Sequence, residues 1–155
     1  MNNICVFCGS NPGNHPEYLK AAHSLGETLA RRELTLVYGG GNIGMMGALA
    51  DSVLQSGGRV TGVITQKLLN LELAHLNLTE LIVVDTMHER KSIMSERADA
   101  FIALPGGFGT LEEIFEVLKI VRYFRYLRNQ GYSGVIGEWM GTIVIPEGVE
   151  EIDDY

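Results

Sequence analysis

The chain has 155 residues, 46% of them hydrophobic and 20% charged, which is the balance of one globular domain large enough to bury a core. Its net charge of −7 excludes a nucleic-acid partner, which needs a basic face for the phosphate backbone. Met1-Asn2-Asn3-Ile4 lacks the basic and apolar regions of a signal peptide, and no apolar run approaches the ~20 residues that span a bilayer. The expected location is the cytoplasm, with no membrane partner.

The first predicted strand covers 4–9 and leads to Ser10. Cys5 and Cys8 form a C-x-x-C within it, and residues three apart on a strand face opposite ways. No second cysteine or histidine pair completes a zinc site, and redox pairs belong at a helix N-terminus. Both read as buried, reduced, structural thiols. Asn14 and Pro16 signal a helix over 16–32.

A strand at 34–38 then runs into Gly39-Gly40-Gly41-Asn42-Ile43-Gly44 and a helix over 44–56. Positions 39, 41 and 44 satisfy G-x-G-x-x-G, but a dinucleotide site needs an acidic residue about 20 positions further on. There is no Asp or Glu from Ser52 to Leu71. That disfavours NAD, and the absence of G-x-x-x-x-G-K-[ST] excludes a P-loop. What remains suits a mononucleotide or a sugar phosphate.

Further strands are expected at 59–64, 80–85 and 100–104, and helices at 86–98 and 110–128, with a short helical piece near 66–74. Strands rich in Val, Ile and Leu, each followed by a helix, build right-handed βαβ units. The expected fold is α/β, a Rossmann-like three-layer arrangement with a parallel sheet and helices on both faces, in one domain over 1–155. Ligands of such sheets bind outside the carboxyl ends of the strands. Ser10, the turn at 39–44 and the segment 105–113 all fall on that edge.

Residues 105–116 are the most informative. Ala100–Leu104 breaks at Pro105, turns through Gly106, Gly107 and Gly109, and restarts as a helix at Thr110. Bare N–H groups at a helix N-terminus hold a phosphate, and glycine permits φ > 0 and close approach. Glu113 has two equal readings here. It completes a Thr110-x-x-Glu113 capping box like that of Thr86-x-x-Glu89, or it is a carboxylate placed for chemistry. Arg90 borders the apolar stripe of Met87, Met94 and Ala98, as a snorkelling residue or as a guanidinium leaning into a cleft. Arg97 and Glu96 pair with neighbours, and His15, His23, His75 and His88 have no metal-ligand spacing, so no metal is expected.

The two turns, with Met87-His88-Glu89-Arg90-Lys91 between them, resemble the Lonely Guy (LOG) family of cytokinin-activating nucleoside 5′-monophosphate phosphoribohydrolases, for which lysine decarboxylase is an older name. The family signature pairs Arg-Lys on a helix with P-G-G-x-G-T-x-x-E. Here these are Arg90-Lys91 and Pro105 to Glu113. Val6-Phe7-Cys8-Gly9-Ser10 and Tyr38-Gly39-Gly40-Gly41 are also similar, and the resemblance covers residues 4 to about 118. It implies hydrolysis of the N-glycosidic bond of AMP or an N6-substituted AMP, such as a cytokinin riboside monophosphate, with Arg90 and Glu113 as the catalytic residues. Substrate binding falls to Ser10, Gly40, Gly41, Lys91, Gly106, Gly107, Gly109 and Thr110, and Glu112 and Glu116 are decoys. Glu72 aligns loosely with a family Glu that contacts substrate, and a solvated helix residue is the simpler reading. No cofactor is implied, and the expected assembly is a homodimer whose active site borders the subunit interface.

The alternative is a binding protein that carries a nucleotide or a phosphorylated cofactor on the same fold without turnover. A literal lysine decarboxylase needs a Schiff-base lysine, and none of Lys20, Lys67, Lys91 and Lys119 sits in a motif for one. From about 119 the family pattern stops. The Lys119, Arg122, Arg125, Arg128 series reads as a solvated helix face, glycines recur at 131, 134, 137 and 141, and the chain closes on acidic residues. Residues 119–155 are therefore expected to be a divergent, loosely packed end, with only weak strand signals at Val135-Ile136 and 142–145.

Overall fold

Each βαβ unit anticipated from the alternation of apolar runs is present in the computed structural model, which describes residues 2–71, 73–129 and 143–144. The strands β1 (Asn3–Phe7), β2 (Thr35–Tyr38), β3 (Val60–Thr65), β4 (Glu80–Val84), β5 (Ala100–Ala103) and β6 (Ile143–Val144) form one sheet. Its order is β4-β3-β2-β1-β5-β6, and every neighbouring pair is parallel. The helices are α1 (Pro16–Arg31), α2 (Gly44–Gln55), α3 (Gln66–Asn70), α4 (Met87–Glu96) and α5 (Phe108–Asn129).

The period-2 alternation of β1 sorts the core into two layers. Ile4, Val6 and Cys8 face one side with Ala22 and Leu29 of α1 and Met45, Leu49 and Val53 of α2. Cys5 and Phe7 face the other with Met94 of α4 and Val117 of α5. Phe7 stacks on Phe101 across the β1–β5 pair, with ring centroids 5.9 Å apart. Both cysteines are free and buried on opposite faces, as their spacing requires, and burial pushes the Cys8 thiol up to about 12. Neither is a nucleophile at neutral pH. Truncating a wholly buried residue such as Leu49 to Ala would cost ~2–5 kcal/mol.

The strand order also fixes where a ligand can enter. From β1 the chain steps outward through β2, β3 and β4, then returns to place β5 on the other flank of β1. The loops after β1 and β5 therefore leave in opposite directions and open a crevice at the carboxyl edge.

Several local expectations change. The N-cap of α1 is His15 and not Asn14, with no side-chain hydrogen bond, because Pro16 sets the first turn. β1 ends at Phe7, so Cys8 lies just past it, and the helical piece after β3 stops at Asn70. The Thr86–Glu89 capping box forms in full, with Thr86 accepting from the Glu89 N–H and Glu89 accepting from the Thr86 N–H. The Thr110–Glu113 box does not form: α5 begins at Phe108, which puts Thr110 inside the first turn. Val144 and Ile143 pair with Ile102 and Phe101, so a strand forms where the sequence signal was weak. Val135-Ile136 and the rest of the divergent end beyond Asn129 lie outside the described residues, as does Glu72.

Candidate functional site

The crevice is a cleft of about 310 Å³ at the carboxyl edge of the sheet. Cys8, Gly9 and Ser10 follow β1 into it, Gly39 and Gly41 follow β2, and Gly107, Gly109 and Thr110 follow β5. Arg90 and Glu113 complete the polar lining. Of the residues singled out in the sequence, Gly40, Gly106 and Lys91 do not line the cleft. No lysine lines it, which leaves a Schiff-base chemistry without its nucleophile among the described residues.

Arg90 is more deeply placed than its helical position suggests. The buried face of α4 consists of Arg90 and Met94, while Met87 is half exposed. Arg90 therefore does not border an apolar stripe but forms part of the buried one, at 6% exposure. Its guanidinium is fixed by the backbone. Nε donates to the Val63 carbonyl at 2.9 Å and Nη2 to the Gly39 carbonyl at 3.1 Å. Nη1 is left facing Glu113 Oε1 at 3.4 Å. The two carbonyls are neutral acceptors that hold the guanidinium in place, and Nη1 lies between Glu113 and Met87 Sδ, the latter at 4.0 Å.

Glu113 reaches Arg90 from the second turn of α5, with its side chain 13% exposed. Burial raises its pKa above the ordinary carboxylate value, and Arg90 and then Lys91 oppose that rise. Glu112 and Glu116 add to it. A carboxyl pushed upward by desolvation beside a cation in a cleft is the kind of group that marks functional sites. Because Glu113 does not reach back to a helix cap, the capping explanation of this residue is removed.

The two glycine turns are built differently. In the first, a Cβ on Gly39 would collide with Nη2 of Arg90, so this glycine makes room for the guanidinium. Gly40 has φ +73° and its carbonyl accepts from the His75 N–H, while the Asn42 N–H donates to the Leu73 carbonyl. The segment 73–75 is thus annealed onto the turn, and His75 Nε2 lies 2.9 Å from Asp51 Oδ1 on α2. Gly44, φ +60°, sits against the Ser10 carbonyl.

In the second turn none of Gly106, Gly107 and Gly109 has positive φ, contrary to the expectation that they serve left-handed backbone. Gly106 makes room for the Thr110 side chain, but Cβ atoms on Gly107 or Gly109 would meet nothing within 4 Å. The Gly107 carbonyl accepts from the Thr110 and Leu111 N–H groups, so the N–H groups of Phe108 and Gly109 open the helix with no intrahelical acceptor. Bare N–H groups, open space and the positive end of a long helix are the features that favour an anion.

The sequence did not single out the apolar wall. Ile43, Met46, Ile64, Leu68 and Leu73 supply much of the apolar lining of the cleft. Ile64 near the end of β3 was open to prediction from its place at the sheet edge and Leu68 follows it on α3, but Leu73 arrives only because 73–75 folds back on the first turn.

A family model described as "Possible lysine decarboxylase" matches residues 46–126. The rice protein named "Probable cytokinin riboside 5′-monophosphate phosphoribohydrolase LOG4" is 45% identical over 152 residues, 97% of this chain and 66% of its own length. A cytokinin riboside 5′-monophosphate phosphoribohydrolase from Rhodococcoides fascians is 53% identical over 116 residues, 74% of this chain and 59% of its own. The Arabidopsis thaliana enzyme LOG7, of the same name, is 50% identical over 149 residues, 96% of this chain and 69% of its own. The chain thus spans less than two thirds of the length of the rice and Rhodococcoides proteins. The rice and Arabidopsis alignments also extend past residue 118, where the signature pattern stops. Among solved structures, the molybdenum cofactor binding protein of Rippkaea orientalis superposes with a TM-score of 0.66 at 28% identity, over 77% of this chain and 71% of that one.

Proposed function

The chain belongs to the Lonely Guy (LOG) family, and on that premise we propose that it hydrolyses the N-glycosidic bond of purine nucleoside 5′-monophosphates, giving free base and ribose 5-phosphate. The substrate is AMP or an N6-substituted AMP such as a cytokinin riboside monophosphate, the compound class in the relatives' names. The observation that carries this reading is the buried Arg90–Glu113 pair, set in a cleft beside the open N-terminus of α5. A protein that only carries a nucleotide or cofactor has no use for such a pair.

The 5′-phosphate rests on the N–H groups of Phe108 and Gly109, with Gly107, Thr110 and Ser10 around it. That contact is remote from the reacting carbon, and its binding energy positions the sugar. Gly41 borders the same space, while Gly40 and Gly106 act from behind it as backbone supports. Cleavage passes through an oxocarbenium-like sugar. Ionised Glu113 stabilises that cation and polarises the attacking water. Arg90, fixed by two carbonyls, brings its positive charge to the negative charge that builds on the departing base. No residue of this scheme calls for a metal or a cofactor.

We place the protein in the cytoplasm as a homodimer. No helix among the described residues is long and apolar enough to cross a membrane. Phe108, Leu111, Phe115 and Leu118 recur at helical spacing along α5 and are all exposed, Phe108 at 92%, an apolar stripe beside the cleft that suits a second subunit. The test of the activity is incubation of pure protein with AMP or adenosine and chromatographic detection of adenine. Release from AMP and little from adenosine is expected; equal turnover of adenosine would sink the phosphate subsite.

A further inference from the structure

Lys91 is the one charged residue of the Arg90-Lys91 pair that turns away from the cleft, and its surroundings say what it does. Its Nζ lies 3.0 Å from Glu112 Oε1 and 2.8 Å from Glu116 Oε2, both on α5, and its side chain is 17% exposed. Arg90, one residue earlier on α4, meets Glu113, one residue after Glu112 on α5. Two consecutive cations on one helix are therefore matched to three carboxylates on the other. A substrate ligand would be expected to present a free ammonium to the cleft, and this one is occupied on both sides.

We propose that Lys91 is a positioning residue: clamped between Glu112 and Glu116, it holds α5 in register with α4 so that Glu113 lies against Arg90, and it offsets the two carboxylates flanking Glu113. This rests on the phosphoribohydrolase reading for its consequence in catalysis, but not for its geometry. The charged and titratable groups that face Glu113 are Arg90 and Lys91 from α4, Glu112 and Glu116 from its own helix, and the Cys5 and Cys8 thiols from the β1 side, whose own pKa values are raised. Arg90 cannot compensate for a lost Lys91, because Val63 and Gly39 hold its guanidinium in place. With Lys91 removed, only Arg90 would be left to oppose the effect of Glu112 and Glu116 on Glu113. Both raise the pKa of Glu113 and Lys91 lowers it, so removal of Lys91 makes Glu113 harder to ionise. Glu112 and, in part, Glu116 are open to solvent, which screens their pairing with the largely covered Lys91, so the effect belongs to charge balance and register more than to folding.

The experiment is the pH profile of kcat/KM for AMP in wild type, Lys91→Met, Lys91→Arg and the double variant Glu112→Gln/Glu116→Gln. Activity needs ionised Glu113 and rises with pH through its pKa, which forms the acid limb of the profile. Lys91→Met should move that limb up by about one pH unit, roughly a tenfold loss on the limb, with Lys91→Arg restoring it. The double glutamine variant should move it down, which keeps the test open if Lys91→Met folds poorly. A raised KM in Lys91→Met with the limb unmoved would show that Lys91 binds substrate directly and overturn the proposal. A ¹³C titration of the Glu113 carboxyl in the same variants reads the shift without turnover. If wild type failed to cleave AMP, the activity assignment would fall while the titration still decided the role of Lys91; an unshifted carboxyl would end it.

Discussion

The turn after β2 and the turn after β5 have the same look in the sequence, a run of glycines between a strand and a helix, and they use their glycines for opposite ends. After β2 the missing side chains are filled by protein. Arg90 occupies the space at Gly39, the Ser10 carbonyl occupies that at Gly44, and Gly40 takes a left-handed turn tied to His75. After β5, Gly107 and Gly109 face empty cleft in ordinary backbone conformations. One turn is a socket that holds the Arg90 guanidinium, and the other is a surface left bare. A glycine-rich turn is thus not by itself a phosphate cradle; what stands where its Cβ atoms would be decides.

Substitutions at these positions separate the two roles. Gly39→Ala should have the largest effect, because the new methyl group must displace Nη2 of Arg90 and with it the bond to the Gly39 carbonyl. Turnover of AMP should fall by ~10²–10³, the usual loss when a charge-stabilising donor is removed. Wild-type kcat in this variant would mean that the guanidinium position is not required.

Gly44→Ala and Gly107→Ala form a matched pair. The first forces alanine into φ +60° against backbone and should destabilise by more than ~1 kcal/mol, read from urea unfolding. The second should leave unfolding within ~0.5 kcal/mol of wild type while raising KM for AMP, since its methyl group enters only the empty subsite. If Gly107→Ala were the more destabilised of the two, the contrast between socket and surface would be lost.

The smallest effect concerns Glu113. Its folded pKa lies above the unfolded value, so the folded state holds its proton more tightly, and stability falls as pH rises through the window between the two. Glu113→Gln carries no titrating proton. Its Tm relative to wild type should therefore improve as pH rises from the ordinary carboxylate range towards neutrality, even as activity is lost. A difference in Tm that stays constant across that range would show that burial does not penalise the charged carboxylate.

Much of this architecture was legible in the residues. The period-2 alternation of Ile4 to Cys8, the short Val- and Leu-rich runs and the intervening helical spacings determined a parallel α/β sheet and placed both glycine turns at one edge, because hydrophobic period and chain connectivity are local properties. Arg90 and Glu113 were singled out by residue type and family pattern. Only the tertiary structure removed the capping reading of Glu113 and showed Arg90 buried beside it. The distance between them depends on how α4 and α5 pack across β3, β2 and β1, and a helical wheel holds no information about that. The same holds for Lys91, read as a substrate ligand from the family pattern and found clamped by two carboxylates some twenty positions away. Conformation along the chain is written in the spacing of the residues. Which side chain fills the space beside a given glycine depends on elements far apart in sequence, and folding alone brings them together.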